Sequence, residues 1–345
     1  MSTRCDMKKQ VYIVTGATGH LGSHVVRELL LRGCRVRALV LPNEKCPEFI
    51  DVNRYLLTEY TGNVCNLASL TPIFNGDKSE ELIVIHCAGI VSITKREDRR
   101  VFDVNVGGTK NIIAACKEYS AKRLVYISSV HAIPPLPHGQ VMKEVESFSP
   151  DRVPGYYDKT KAIATQLVLD AVKNGQDAIV LHPSGIIGPH GLPTGNMTRL
   201  IRLYLLGRLH TAVHGGFDFV DVRDVAAGVV SSVRKGISGE CYVLSNRFVK
   251  LKEMFAILSQ TGTKSRIRLY LPLWIVKVIA PAAELYCRLT RKAPLFTRYS
   301  LDTLSENGMY SHEKASRELN YVTRTLRETL SDTAAWVLAR QHGTL

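Results

Sequence analysis

The sequence predicts an α/β protein: a doubly wound parallel sheet with helices on both faces, followed by a smaller, mainly helical lobe. Three observations carry that reading. Short Val- and Ile-rich runs alternate with segments of helical period through the first half of the chain, the pattern of parallel strands joined by crossover helices. A glycine-rich turn, TGATGHLG, stands where the first strand meets the first helix. After residue 183 the alternation yields to Gly- and Pro-punctuated sequence and then to helical periods.

Residues 10–15 (QVYIVT) are apolar and bounded by glycine, so they read as a buried strand. A helix over 20–32 follows, with Leu21, Val25, Leu29 and Leu30 on one face and Gly33 as its stop. The same reasoning predicts strands at 35–41, 55–60, 82–87, 123–128 and 178–182, and helices at 66–75, 98–118 and 156–173. Right-handed crossovers then make the Rossmann arrangement the natural topology. Residues 1–183 are read as this dinucleotide-binding domain. Residues 184–345 are read as a substrate-side lobe interleaved with the sheet. That lobe should hold helices at 196–207, 224–235, 250–261, 272–290, 312–319 and 325–340, and a strand at 217–222. A further strand near 241–245 is expected to return to the sheet.

Bulk properties narrow the classes. With 345 residues, 45% hydrophobic and 22% charged, the chain has the balance of a globular enzyme. The net charge of +14 comes from basic residues spread along the chain, with no nucleic-acid motif, and reads as a solvated basic surface. Eight scattered cysteines without a C-x-x-C pair suit reduced thiols, and neither they nor the histidines show metal-ligand spacing, so no metal is expected. The first residues, MSTRCDMKKQ, lack the apolar stretch of a signal peptide, and the expectation is a cytoplasmic protein. The most apolar stretch, 269–289, is interrupted by Pro272, Lys277, Pro281, Glu284 and Arg288. It falls short of the roughly 18 uncharged residues that a membrane span needs. A buried or substrate-covering helix is expected there.

The glycine loop has a mechanism. Gly16 permits the tight turn, Gly19 lets backbone approach a pyrophosphate, and Gly22 lets helix and strand pack closely. The helix then offers its free N–H groups and positive dipole end to the phosphates. The second strand's tip normally selects the cofactor, an acid for ribose hydroxyls or an arginine for a 2′-phosphate. In RVRALVLPNEK the tip is Val40–Leu41. With no acid there and Arg37 and Lys45 nearby, the reading leans to NADP and leaves NAD open.

Tyr157 and Lys161 lie four apart on the helix predicted over 156–173, and so share a face. A tyrosine titrating near about 10 is a poor base at neutral pH, and a neighbouring ammonium would favour its phenolate. In the reductive direction the same hydroxyl would give a proton while the cofactor gives hydride. Ser128 and Ser129 end the fifth strand, at the carboxyl edge where such sheets bind ligands. One of the two hydroxyls is expected to hold the substrate oxygen.

Together these segments resemble the extended short-chain dehydrogenase/reductase family, within the NAD-dependent epimerase/dehydratase superfamily, and the resemblance covers nearly the whole chain. TGATGHLG is similar to its TGxxGxxG loop, which brings Gly16, Thr18, Gly19, His20, Leu21 and Gly22 to the cofactor. Tyr157-Asp-Lys-Thr-Lys161 resembles its YxxxK. VIHCAG resembles the segment flanking the adenosine and ribose, implying contacts from Cys87, Ala88 and Gly89. NVGGT, opening at Asn105, resembles NVxGT, and HPSGIIGP resembles the stretch near the nicotinamide, with Pro183, Ser184 and Ile186 as contacts. FVDVRDVA resembles FVxVxDVA. Asn63-Val64 stands where the family usually has Asp-Val beside the adenine.

The resemblance implies that Ser129 is the catalytic serine, Tyr157 the acid/base, and Lys161 the group that holds the ribose and lowers the tyrosine pKa. Family dehydratases carry an acidic pair after that serine or threonine; Val130 and His131 follow it here, which argues against dehydration. The expected activity is hydride transfer between NAD(P) and an alcohol or ketone of a largely apolar, steroid- or flavonoid-like molecule. The branch resembled is that of dihydroflavonol reductases and hydroxysteroid dehydrogenases. A nucleotide-sugar epimerase, using Arg199, Arg202 or Arg208 for a diphosphate, is the alternative, and a non-catalytic dinucleotide sensor is a third reading. The resemblance also implies a homodimer through helices 98–118 and 156–173.

Overall fold

The computed structural model describes residues 10–93, 96–193, 195–261, 265–279 and 297–340. Its frame is a seven-stranded sheet: β1 (Gln10–Thr15), β2 (Arg35–Val40), β3 (Leu57–Thr61), β4 (Glu81–His86), β5 (Arg123–Ile127), β6 (Ala178–Pro183) and β10 (Cys241–Leu244). The spatial order is β10-β6-β5-β4-β1-β2-β3, with every pairing parallel. The chain runs outward from β1 to one edge, then returns to β4 and builds the other. This reversal opens a crevice between β1 and β4 at their carboxyl ends.

Both faces of the sheet are covered, and the strand sequences say why. Val11 and Ile13 of β1 enter one apolar cluster while Tyr12 and Val14 enter another. Leu82 and Val84 separate from Ile83 and Ile85 in the same way, as Leu124 and Tyr126 do from Val125 and Ile127. Alternate side chains point to opposite faces, so a strand apolar at every position must be buried twice.

One face is covered by α1 (His20–Leu31), α7 (Val222–Lys235) and α11 (Glu313–Leu319). The other carries α2 (Thr71–Phe74), α4 (Thr109–Glu118) and α5 (Tyr156–Lys173). Its core continues into α6 (Asn196–Leu205), α8 (Leu251–Leu258) and α12 (Leu326–Ala339) of the lobe.

β10 pairs with β6 from Cys241↔Val180 to Leu244↔Pro183, so the chain does return to the sheet. Helix α7 corrects the expected division at residue 184. Val225, Ala226, Val229, Val230 and Val233 pack with Val25, Val26, Leu29 and Leu30 of α1, so this helix is part of the sheet's cover. The lobe adds two small sheets: the strand expected at 217–222 is β9 (Gly216–Asp221), which pairs with β7 (Gly185–Ile187) and β11 (Arg247–Lys250), while β8 (Thr211–Val213) pairs with β12 (Leu269–Leu271); all but β9 escaped sequence periodicity. Strands of three or four residues are too short to show a period of two.

The helix expected over 98–118 is broken. Arg99–Phe102 (α3) passes into a π turn at Asp103–Gly108 before α4 begins, and such widened turns gather at functional sites. The expected helix 272–290 is described only over 273–279 (α9); residues 280–290 lie outside the described residues. Trp274, Val278 and Ile279 of α9 are exposed, so of the buried or substrate-covering helix expected there, residues 273–279 do not take the buried form. α10 (Arg298–Ser305) was not foreseen; Thr297 and Ser300 cap it reciprocally. Among the described residues, no helix is long and apolar enough to cross a membrane.

Leu29→Ala, at a fully buried position between α1 and α7, should lower unfolding free energy by about 2–5 kcal/mol. Urea denaturation checks the loss, and dinucleotide affinity measured below the transition should be unchanged.

Candidate active site

The glycine loop leaves no room for side chains. Gly16 has φ +65°, and a Cβ built there would lie 2.7 Å from the Ala88 amide nitrogen. A Cβ on Gly22 would lie 2.0 Å from the Gly16 carbonyl oxygen. Gly19 donates its amide to that carbonyl at 3.0 Å and starts α1 with no side-chain cap and no acid in the first turn. The first amides of the helix are therefore left for an anion. The Thr18 hydroxyl donates to Glu44 (2.6 Å), and the rings of His20 and His24 both reach the Pro189 carbonyl. Side chains of the loop are thus engaged by protein, while its backbone stays available. Leu21 packs against the apolar cluster of α1.

A buried polar chain fixes the far wall. The Ala88 amide donates to the Thr15 hydroxyl, which lies 2.7 Å from His86 Nδ1. His86 Nε2 lies 3.2 Å from the Thr109 hydroxyl, which donates to the Asn105 carbonyl. Burial pushes the His86 pKa down to about 3, so the ring is neutral and serves as a hydrogen-bond link. Within the π turn, Asn105 donates to the Ile90 carbonyl and the Thr160 hydroxyl and accepts from the Ile90 amide. Asn105 therefore braces the loop after β4 against α5. It was singled out as a cofactor contact, and its side chain is spent on this brace.

Tyr157, Lys161, Ser128 and Ser129 converge at the ends of β5 and α5. Lys161 is buried, and its Nζ donates to the Ile127 carbonyl (2.8 Å) and the Tyr126 hydroxyl (3.5 Å). A Cβ on Gly89 would lie 3.5 Å from that nitrogen. Burial lowers the Lys161 pKa to about 8, leaving an ammonium with a donor to spare beside the Cys87–Gly89 segment. Ser128 shares its hydrogen bond with Thr165 (2.6 Å), whereas Ser129 hydrogen-bonds Tyr157. His182 Nδ1 holds the Ser129 carbonyl at 2.9 Å, its ring stacked on Phe148. Burial pushes the Tyr157 pKa up, and the Ser129 hydrogen bond opposes that rise. The protein's own groups keep the phenol protonated, in contrast to the lowering expected from Lys161.

The adenosine end needs a correction. Arg37 is an ion-pair partner of Glu80 (2.5 Å) and donates to the Ile73 and Asn75 carbonyls. Glu80 precedes β4, so this guanidinium is drawn toward the amino end of the sheet, away from the crevice. Asn63 uses its side chain to accept the Cys65 amide, and Val64 is buried against Gly108. An acid missing from the strand tip is supplied four residues later. Asn43, at φ +68°, helps turn the chain so that Glu44 reaches Thr18.

At the other end of the crevice, Pro183 closes β6 and Ile186 lies in β7. Ser184 donates its hydroxyl to Asp218 (2.5 Å), whose other carboxylate oxygen is buried without a partner. Burial raises the Asp218 pKa to about 6. The side of the site facing the lobe is aromatic. His131 stacks on Phe217 and meets Tyr157 edge-on, and Tyr299 of α10 donates to Asp158. Glu44, Asp158 and Tyr299 went unnoticed in the sequence. Asp158 lies inside YDKTK, but nothing local ties it to residue 299. Of the arginines considered for a diphosphate, Arg202 and Arg208 are exposed and Arg199 is half-buried.

These features fit a nicotinamide dinucleotide: glycine backbone that a Cβ would fill, a helix start without a side-chain cap, and a buried ammonium with a spare donor. Among the described residues, no three His, Cys, Asp or Glu side chains are grouped to hold a metal.

Comparison with known proteins agrees with this geometry. Residues 12–245 match the model of the NAD dependent epimerase/dehydratase family. The chain is 30% identical over 331 residues to "Sterol demethylase protein B" of Methylococcus capsulatus, covering 95% of this chain and 98% of that one. It is 27% identical to "Sterol-4-alpha-carboxylate 3-dehydrogenase erg26, decarboxylating" of Schizosaccharomyces pombe, covering 93% and 95%. Among solved structures it is similar to that of gox2253, with a TM-score of 0.80, 30% identity and coverage of 97% and 99%.

Gly16→Ala should weaken NADH binding at least tenfold, about 1.4 kcal/mol, in a fluorescence titration, with the circular dichroism spectrum retained. Asp218 makes a separate prediction. Its folded pKa of about 6 lies above the ordinary 3.8, so its stabilising contribution is complete below about pH 4 and is lost as pH rises through 6. Asp218→Asn should remove that slope, worth about 2–3 kcal/mol. Unfolding titrations at pH 4 and pH 8 measure the difference.

Proposed function

Because this chain belongs to the NAD-dependent epimerase/dehydratase family and is an oxidoreductase of its extended short-chain type, we propose that it oxidises a ring alcohol of a sterol-like substrate with NAD. The observation that carries the reading is the convergence of Ser129, Tyr157 and Lys161 beside the segment that closes on the glycine loop. The substrate class is supported by the aromatic wall of His131, Phe217 and Tyr299 and by the sterol names of the relatives.

Oxidised nicotinamide, when bound, would supply the hydride acceptor. The residues do the rest. Ser129 holds the substrate oxygen and Tyr157 takes its proton, while Lys161 holds the ribose with its spare donor. Because burial raises the Tyr157 pKa, alcohol oxidation requires the minority phenolate and ketone reduction uses the prevalent phenol. The oxidation rate should therefore climb with pH across the neutral range while the reduction rate does not.

NAD is preferred over NADP in this reading. Glu44, held at Thr18 beside the loop, is placed to accept ribose hydroxyls and to repel a 2′-phosphate, and Arg37 is committed to Glu80. This replaces the lean to NADP drawn from the sequence.

Three measurements test the proposal. A panel of 3-hydroxysterols should be oxidised with NAD, and failure of every member would refute the substrate class. Tyr157→Phe should cut kcat by about 10²–10⁴-fold with NADH affinity intact. Glu44→Gln should narrow the ratio of NADH to NADPH affinity; an unchanged ratio would remove Glu44 from the ribose site.

A further inference from the structure

His182 of β6 is wholly buried, and the chemistry proposed above gives it no part. Its Nδ1 lies 2.9 Å from the Ser129 carbonyl oxygen. Its ring stacks on Phe148, with centroids 5.1 Å apart and planes 15° from parallel. Phe148 is itself tied to α5, its amide donating to the Gln166 side chain at 2.9 Å. Burial lowers the His182 pKa to about 4, so the ring is neutral and carries one proton. A carbonyl can only accept, which places that proton on Nδ1. Nε2 is then a bare lone pair, buried and without a hydrogen-bond partner among the described residues.

For stability alone, this arrangement is unfavourable and unnecessary. An unmet buried acceptor destabilises a fold, whereas an apolar ring of similar shape would not. The Ser129 carbonyl also accepts the Ala132 amide at 3.0 Å, so it would keep a partner without His182. His86 shows the other solution, with both nitrogens meeting hydroxyls, those of Thr15 and Thr109. What the Nδ1 bond adds at residue 182 is direction. A carbonyl oxygen has two lone pairs, and with both engaged the peptide plane after Ser129 is fixed. The Ser129 side chain takes its aim from that backbone. Its Oγ accepts the His131 amide at 3.2 Å and hydrogen-bonds Tyr157.

We propose that His182 is a positioning residue for hydride transfer, holding the Ser129 backbone so that Oγ meets Tyr157 and the reacting oxygen together. The inference rests on the Ser129–Tyr157–Lys161 reading above but not on the sterol class. His182 acts through the Ser129 backbone and touches none of the reacting groups itself. Stability and rate should therefore respond to its replacement in opposite ways.

His182→Phe keeps the stack on Phe148 and removes both the donor and the unmet acceptor. Its urea midpoint should equal or exceed that of wild type, while kcat falls about 10–100-fold with NADH affinity intact. His182→Asn puts an amide donor near the place of Nδ1 in a smaller side chain. It should be less stable than His182→Phe, yet recover part of kcat. A double-mutant cycle supplies the third measurement: in a Ser129→Ala background, His182→Phe should lower kcat no further. The kinetics use the fastest 3-hydroxysterol of the panel, or reduction of cyclohexanone with NADH if no sterol is oxidised. Loss of sterol turnover with ketone reduction intact would overturn the substrate class alone. An unchanged kcat in His182→Phe, a kcat that falls in step with stability, or an equal loss in the Ser129→Ala background would overturn the role of His182. Wild type that turns over neither compound would overturn both readings.

Discussion

The backbone of Gly16 runs against that of Ala88, and the rest of the site depends on this approach. It joins the carboxyl ends of β1 and β4, the two strands between which the sheet reverses direction. A single Cβ at Gly16 or Gly22 would hold the segments apart. Beneath the approach, Thr15, His86, Thr109 and Asn105 form a continuous buried hydrogen-bonded chain. That chain ends on Thr160 of the catalytic helix. The turn that would face phosphates and the helix that carries Tyr157 are thus positioned by one polar network, in which an unmet bond would be costly.

Burial governs the charges in this region. His86 and His182 are held neutral, Tyr157 is held protonated, and Lys161 is driven down to about 8. The neutral histidines act as spacers that fix Thr15 and the Ser129 carbonyl. Lys161 is the buried cation among these groups, so its spare donor has few competitors for an incoming hydroxyl. Asp158 contrasts with them: three groups surround this carboxylate, and one of them comes from the lobe. Lobe and sheet therefore meet through polar contacts at the site as well as through shared apolar core.

Much of the frame was legible. The strands of the sheet and helix Tyr156–Lys173 follow from apolar runs and spacing, because each residue there answers mainly to local geometry and to burial on known faces. The glycine loop was legible for the same reason: its meaning lies in adjacent residues. What escaped was short or distant. β7, β8, β11 and β12 have too few residues for a period, and the π turn within 98–118 reflects the demand of Asn105 for partners at residues 90 and 160. Arg37 was misread because its ion pair with Glu80 spans 43 positions.

By itself the sequence determined the sheet, the glycine turn and the residue types suited to hydride transfer, since these arise from local propensity and short spacings. Only the tertiary structure decided which groups are free to act. It turned Ser128 toward Thr165 and Ser129 toward Tyr157, drew Arg37 away from the crevice, and carried Glu44 back to Thr18. It also set His131 between Asp158 and Tyr299, residues far apart in the chain. Hydrogen bonds and ion pairs are satisfied by whatever partner the fold brings within reach, and that proximity is a property of three dimensions.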